Sequence, residues 1–313
     1  MKKLKGKNCL ITGAAYGIGR QLALQLAKEG MNLFLSDIVM DKLEEVKEEI
    51  EKMGNKVVIC KCDVSKFDEM QHLADEFFRE YNDLDLLINN AGTAGGGFIE
   101  AIELDEWKKV FDVNFWSIVY AIKIFLPKML ERGSGHFVST GSGAGIVGLP
   151  VHPHYVASKF AVVGLTEALY SELYNSGINF SVICPIRVNT NIGMTSPITI
   201  NPTLLTETDP EEIKKKFQTF REIWWEGYVA MGIEPDYAAK RYIKGIKKNK
   251  LYIFDKRRLR LAMFIKAVGL KHAYKAVLRK LSEDDISAIE KGLVESGLST
   301  REHLLKALGN RLF

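Results

Sequence analysis

Apolar positions along this chain recur at two alternating spacings. Short, nearly continuous apolar runs stand at 8–11 (NCLI), 32–37 (NLFLSD), 56–63 (KVVICKCD), 84–90 (LDLLINN), 136–140 (HFVST), 179–185 (NFSVICP) and 251–254 (LYIF). Runs of this length predict buried strands. Between them the spacing lengthens to three and four. Ile18, Leu22 and Leu26 share one helical face; so do Leu43, Val46, Ile50 and Met53, and then Phe67, Met70, Leu73 and Phe77. Gly54 closes the second of these helices, and longer helical patterns cover 103–131 and 154–175.

Strands apolar on both sides, each followed by a helix, predict a parallel sheet covered on both faces. The expected fold class is α/β, a doubly wound parallel sheet of Rossmann type. Its ligand crevice lies at the carboxyl ends of the strands. No repeat or low-complexity linker interrupts residues 1–255, which read as one domain with a variable lid segment at 191–231. Residues 256–313 read as a helical C-terminal extension, with 256–281 a basic amphipathic helix. Further on, Gly297 predicts a helix stop, and Ser299 with Glu302 fits a capping box.

Composition narrows the setting. With 47% hydrophobic and 26% charged residues the chain is an ordinary globular one, and no run suggests a bilayer span. The basic start, MKKLKGKNCLITG, reaches glycine too soon for an export signal and reads as a strand. Cys9, Cys60, Cys62 and Cys184 lie in strand-like runs without histidine partners, so they read as reduced thiols in a cytoplasmic protein, with no metal. The net charge is +4, yet residues 256–280 hold nine Lys and Arg and no acid, leaving −5 for the remainder. Basicity confined to one segment argues against a nucleic-acid surface.

The strand ends carry the candidate chemistry. Strand one runs into TGAAYGIG, with Gly13, Gly17 and Gly19 in the turn to the next helix. Glycines there let backbone N–H groups approach a pyrophosphate. Strand two ends in Asp37, a carboxylate suited to the hydroxyls of an adenosine ribose and repulsive to a 2′-phosphate. That favours NAD; Arg20, just beyond the turn, keeps NADP open. Asp63 and Val64 follow strand three, and Asn90, Ala91 and Gly92 follow strand four. Ser142 follows strand five, Asn114 interrupts an apolar helix, and Tyr155 and Lys159 share a helical face.

In this order and spacing, T-G-x-x-x-G-x-G, N-N-A-G, Asn114, Ser142 and Y-x-x-x-K resemble the short-chain dehydrogenase/reductase family over about residues 5–255. The resemblance implies a nicotinamide-dependent oxidoreductase with Tyr155 as general acid/base. A phenol titrating near ~10 is poorly matched to neutral pH, and Lys159 with an oxidised nicotinamide could lower it. The resemblance further implies that Lys159 binds the nicotinamide ribose, that Ser142 bonds the substrate oxygen, and that Asn114 fixes a relay water. It gives a cofactor set of Gly13, Tyr16, Gly17, Ile18, Gly19, Asp37, Asp63, Val64, Asn90, Ala91, Gly92, Tyr155, Lys159, Pro185, Val188 and Thr190.

The chain departs from the family pattern after strand six, where PIRVNT carries Ile186 in place of a glycine. Ile186 could change the backbone there or line the pocket. The lid is aromatic: Phe217, Phe220, Trp224, Trp225 and Tyr228 could either face a lipophilic substrate or only pack the lid onto the sheet. Ile146, Val147, Leu149 and Val151 suggest the opposite apolar wall; His152 and His154 receive no catalytic role. A steroid, retinoid, long-chain alcohol or acyl compound is the expected substrate class if the aromatics line the site. Leu261, Phe264, Ile265 and Val268 flanked by Arg260, Lys266 and Lys271 suit peripheral membrane contact, a cover over the pocket mouth, or a subunit contact. The resemblance implies a homodimer or homotetramer through 103–131 and 154–175. The reading from another class is a dinucleotide-sensing binding protein acting through its C-terminal helices.

Overall fold

The computed structural model describes residues 3–308 apart from 231 and 256. Strand and helix alternate as the spacing predicts: β1 Asn8–Thr12, α1 Gly17–Lys28, β2 Asn32–Asp37, α2 Met40–Lys52, β3 Val57–Lys61, α3 Phe67–Glu80 and β4 Leu86–Asn89. The second half follows with α4 Leu104–Phe111, α5 Ser117–Arg132, β5 Gly135–Thr140, α6 Pro153–Glu172, β6 Ile178–Cys184, α7 Ile192–Thr195, α8 Pro210–Val229, α9 Pro235–Ile246 and β7 Tyr252–Phe254. Three helices close the described chain: α10 Arg257–Ala267, α11 Lys271–Glu295 and α12 Arg301–Leu308.

The seven strands form one parallel sheet in the order β3-β2-β1-β4-β5-β6-β7. The order reverses between β1 and β4, and a crevice opens there at the carboxyl ends of the strands. One face of the sheet is covered by α1, α2 and α9, burying Leu22, Leu26, Val46, Tyr242 and Ile246. The other buries Phe77, Phe125, Phe137, Val162 and Phe180 beneath α3, α5 and α6. Each such side chain contributes about 1.5–3 kcal/mol on leaving water.

A third core lies away from the sheet. Leu204, Phe220 and Trp224 of the lid pack with Leu293, Leu298, Leu304 and Leu308 of the extension. The lid aromatics were expected either to face the substrate or to pack on the sheet; Phe217, Phe220 and Trp224 instead join α8 to α11 and α12, and Phe220 and Trp224 also line a small apolar cavity there. The Tyr228 side chain lies outside the described residues.

Four local expectations need correction. The helix expected over 103–131 is interrupted by a π turn at Asp112–Trp116. Contrary to the first reading of the apolar runs, Leu104–Arg132 is long and apolar enough by length and composition to cross a membrane. In this fold that run packs on α3, β4, β5 and α6 and carries the buried Asn114. The basic helix expected over 256–281 breaks between α10 and α11, where Gly269 takes φ +69°. The cap of α12 is Thr300, whose Oγ1 accepts from His303 N, while Ser299 is buried. Gly297 does stop α11, at φ +72°.

Candidate active site

The glycine turn is stitched to the end of β4. Thr12 Oγ1 accepts from the backbone N–H groups of Asn90 and Ala91, and Asn90 Nδ2 donates to the Gly13 carbonyl at 2.9 Å. A Cβ on Gly13 would come within 2.7 Å of Ala91 Cα, and one on Gly19 within 2.0 Å of the Gly13 oxygen. Side chains at either position would push these segments apart. Tyr16 caps α1 without a side-chain hydrogen bond, and no acid stands in the first turn. The N–H groups at that helix end therefore face the crevice with a positive dipole and no competing carboxylate on their own helix.

Asp37 closes β2 beside that turn. Its Oδ2 accepts from Ala15 N at 3.0 Å and its Oδ1 from Val39 N at 3.1 Å, so both oxygens are fixed while lone pairs remain. Arg20 does not share this site: its guanidinium pairs with Glu49 of α2. Asp63 is held by the Ser65 backbone and hydroxyl. Burial works against its charge, yet Ser65 and Lys66 outweigh it and hold the carboxyl below its usual range.

The four catalytic candidates come from three places: Asn114 from the π turn, Ser142 from the turn after β5, and Tyr155 and Lys159 from α6. Lys159 is buried on α6 and its Nζ donates to the Thr140 carbonyl at 2.9 Å. Burial brings its pKa down to about 8. The Lys159 ammonium lies 5.7 Å from the centre of the Tyr155 ring. Burial raises the Tyr155 phenol above its ordinary value, and a hydrogen bond with the Ser142 side chain opposes it. Ser142 Oγ in turn accepts from Ala144 N at 3.1 Å, which sets its direction. Asn114, in the π turn, is fully buried: Oδ1 accepts from Thr93 N, and Nδ2 donates to Thr93 O and Ser158 Oγ. Both amide hydrogens are thus used, and the side chain ties the Thr93 segment to α6.

These residues line one crevice of about 420 Å³, and it runs from Gly13, Tyr16, Gly17 and Ile18 past Asp37, Asp63 and Val64. It continues along Asn90, Ala91 and Gly92 to Ser142, Tyr155 and Lys159, with Pro185, Val188 and Thr190 on the far side. Gly19 and Asn114 stand behind the wall: Gly19 against Gly13, and Asn114 Oδ1 3.2 Å from a Cβ placed on Gly92. The groove between an uncapped helix end and a ribose-side carboxylate fits an elongated dinucleotide. Ile186 is not part of the lining. It turns toward Gly143, and its N–H donates to Asp255 Oδ2 at 2.8 Å.

Arg187 and Arg221 lie outside the residues expected from the sequence. Arg187 takes φ +49° and lines the crevice while pairing with Asp284 of α11. The left-handed position thus sits one residue after the missing glycine. Of the lid aromatics expected from the sequence, Trp225 lines the crevice, and its Nε1 donates to the Thr190 carbonyl at 3.1 Å. Arg221 Nη2 holds the carbonyls of Gly193, Met194 and Ser196. Nothing in the local sequence marks Arg187, whereas Trp225 and Arg221 lie at helical spacing on the lid.

Between the lid and the extension, a smaller apolar cavity of about 30 Å³ is lined by Val151, His152, Ile198, Leu204, Trp224 and Leu293. Ile146 and Val147, expected on the pocket wall, are instead buried in the core beneath α6. His154 is fully buried with both ring nitrogens unpartnered among the described residues. Burial, with His152 nearby, lowers its pKa to about 4.

A parallel sheet with a glycine-turn crevice and a Ser–Tyr–Lys cluster at its carboxyl edge defines a nucleotide-dependent oxidoreductase class. Residues 7–200 match the family model described as short chain dehydrogenase, and the chain belongs to that family. It is 33% identical over 273 residues to epidermal retinol dehydrogenase 2 of Mus musculus, covering 85% of this chain and 79% of that protein. It is 32% identical over 281 residues to 17-beta-hydroxysteroid dehydrogenase 13 of Rattus norvegicus, covering 89% and 84%. Among solved structures, a short chain dehydrogenase/reductase from Burkholderia phymatum in complex with NAD superposes with a TM-score of 0.73 at 30% identity, covering 86% of this chain and 97% of that one.

Proposed function

We propose that the protein interconverts a lipophilic secondary alcohol and its ketone with NAD, Tyr155 acting as general acid/base. The observation that carries this reading is the meeting of Ser142, Tyr155 and Lys159 at the inner end of the glycine-turn crevice. When bound, the dinucleotide supplies the hydride chemistry. The chain's own residues do the rest. Ser142 Oγ holds the substrate oxygen next to the Tyr155 hydroxyl. Tyr155 Oη takes the alcohol proton in oxidation and returns it in reduction. Lys159, charged below about pH 8, favours the phenolate and offers its ammonium to a ribose. Burial alone holds Tyr155 in the wrong direction for a base at neutral pH. Proton abstraction therefore depends on positive charge arriving beside the phenol.

NAD is favoured over NADP by Asp37 at the ribose end and by the commitment of Arg20 to Glu49. The lipophilic substrate class draws on the apolar cavity next to Val151 and Trp224 and on the two relatives, whose names are of retinol and steroid enzymes. At about 30 Å³ that cavity holds little more than a water, so a large substrate requires α7 and α8 to move outward. A homodimer or homotetramer belongs to the same reading, as does a cytoplasmic protein that contacts membranes.

The test is nicotinamide absorbance with purified protein, NAD and secondary alcohols graded from small polar ones to steroids. Turnover confined to the large apolar members supports the proposal. Turnover on small polar alcohols alone overturns the substrate class. Tight NADH binding with no turnover on any member would favour the dinucleotide-sensing alternative.

A further inference from the structure

Helix α10 has two apolar faces. Leu259, Ala262 and Met263 turn inward onto the core beneath α6. Its Lys266 Nζ donates to the Ile146 carbonyl at 3.0 Å and lies 4.4 Å from the centre of the Phe160 ring. The opposite face carries Leu261, Phe264, Ile265 and Val268, the spacing i, i+3, i+4, i+7 of a single helical stripe. Leu261 is 58% exposed, Phe264 60% and Val268 50%; Leu270, just past the Gly269 break, is 51% exposed. An apolar stripe of this length turned to solvent, on a helix whose other side is already docked, marks a contact surface.

Charge decides the occupant. Residues 256–280 contain nine Lys and Arg and no acid, and Arg260, Lys271 and Lys275 around the stripe are exposed. A second copy of this chain meeting it face to face would bring two such segments together, and like charges across an interface cost affinity. An anionic lipid surface satisfies both halves of the pattern. Acyl chains accept the stripe and phosphate headgroups accept the cations.

We infer that the α10–α11 corner is an in-plane anchor for anionic membrane, with Leu261, Phe264, Val268 and Leu270 as the inserted residues. The anchor is rigidly coupled to the catalytic centre. Leu259 Cδ2 lies 3.6 Å from a Cβ placed on Gly143, the residue after Ser142, and Lys266 is bonded one turn further on. Docking thus holds the reaction site at a fixed height over the lipid from which an apolar substrate would come. The inference does not depend on the proposed reaction, because its readout is vesicle binding.

The experiment is co-sedimentation of the full chain with vesicles of phosphatidylcholine alone and of phosphatidylcholine with phosphatidylserine, at low and high salt. The expected result is capture by the phosphatidylserine vesicles, release by salt, and no capture by phosphatidylcholine alone. The double variant Leu261→Ser, Phe264→Ser should weaken capture about tenfold or more. Lys271→Glu with Lys275→Glu should weaken it with the stripe intact. NADH affinity, which neither pair touches, should stay unchanged in both and so reports an intact fold. Equal capture by neutral vesicles, no capture at all, or full capture of the Leu261/Phe264 variant overturns the inference. So does a stripe variant that converts a dimer to a monomer in analytical ultracentrifugation.

Discussion

Arg187 Nη1 lies 3.2 Å from Asp284 Oδ2, joining the floor of the cofactor crevice to the middle of α11. The Arg187 side chain is only 11% exposed, and its backbone is left-handed. Removing Asp284 loosens one tie on a largely buried guanidinium. Asp284→Asn should therefore lower stability by about 1–2 kcal/mol, discounted for the partial exposure of Asp284, and weaken NADH binding several-fold. Thermal melts and fluorescence titration check both. An unchanged melt with unchanged affinity would mean that the tie is decorative.

Tyr155→Phe removes one oxygen from the site and leaves the ring and helix in place. Turnover should fall by about 10²–10⁴-fold, the usual weight of a positioned acid/base. NADH affinity should stay within about twofold. Single-turnover kinetics separate the two, and normal chemistry in the variant would reassign the proton-transfer group.

Lys159 carries a stability signature as well as a catalytic one. Burial lowers its folded pKa to about 8, below the unfolded value of 10.5. Between those limits the unfolded chain binds more protons, so this group's contribution makes stability rise as pH climbs from about 8. Below about 8 the full cost of a buried charge is present. Lys159→Met should thus be inactive yet at pH 7 no less stable, by up to about 1–3 kcal/mol more stable after loss of the Thr140 bond. The gap should narrow toward pH 10. Chemical denaturation at pH 7 and 9.5 reads it directly.

Two buried neutral imidazoles set the acid limit. Burial lowers His154 to about 4 and His136 to about 3, against 6.5 unfolded. Unfolded histidines take up protons first, so stability should fall as pH drops below 6.5, continuing to about 4 for His154 and about 3 for His136. His154→Gln should flatten the first part of that slope. Identical slopes in denaturant melts from pH 7 to 4 would count against it.

The proposed preference for NAD rests on Asp37. Asp37→Ser removes the charge that faces a 2′-phosphate but keeps a hydroxyl for the ribose. NADPH affinity should rise relative to NADH by about tenfold, as one partly screened charge would give. Equal affinity for both cofactors in the unaltered protein would already refute the assignment.

Most of the sheet and the crevice lining were legible in the sequence. Strand runs apolar on both faces have few alternatives, and glycine, asparagine and aspartate at strand ends stand out because strands disfavour them. Arg187 was not legible. A left-handed backbone usually announces itself as glycine, and here the constraint comes from the Ile186 N–H bond to Asp255 and the Asp284 pair, both distant in sequence. The third core was hidden for a similar reason. Phe220 and Trp224 show a helical face, but nothing local says that the face belongs to α11 rather than to the sheet. The π turn and the break at Gly269 are register events inside helical patterns, and periodicity alone smooths over them.

The third core also imposes an order on synthesis. Sheet strands and nucleotide turn can assemble as they leave the ribosome, N-terminal part first. Phe220 and Trp224 must wait for Leu293, Leu298 and Leu304 before they are covered. Until then the nascent chain exposes an aromatic helix next to a finished nucleotide site. The interval between a formed crevice and a seated α8 is the stage at which that aromatic face stands uncovered.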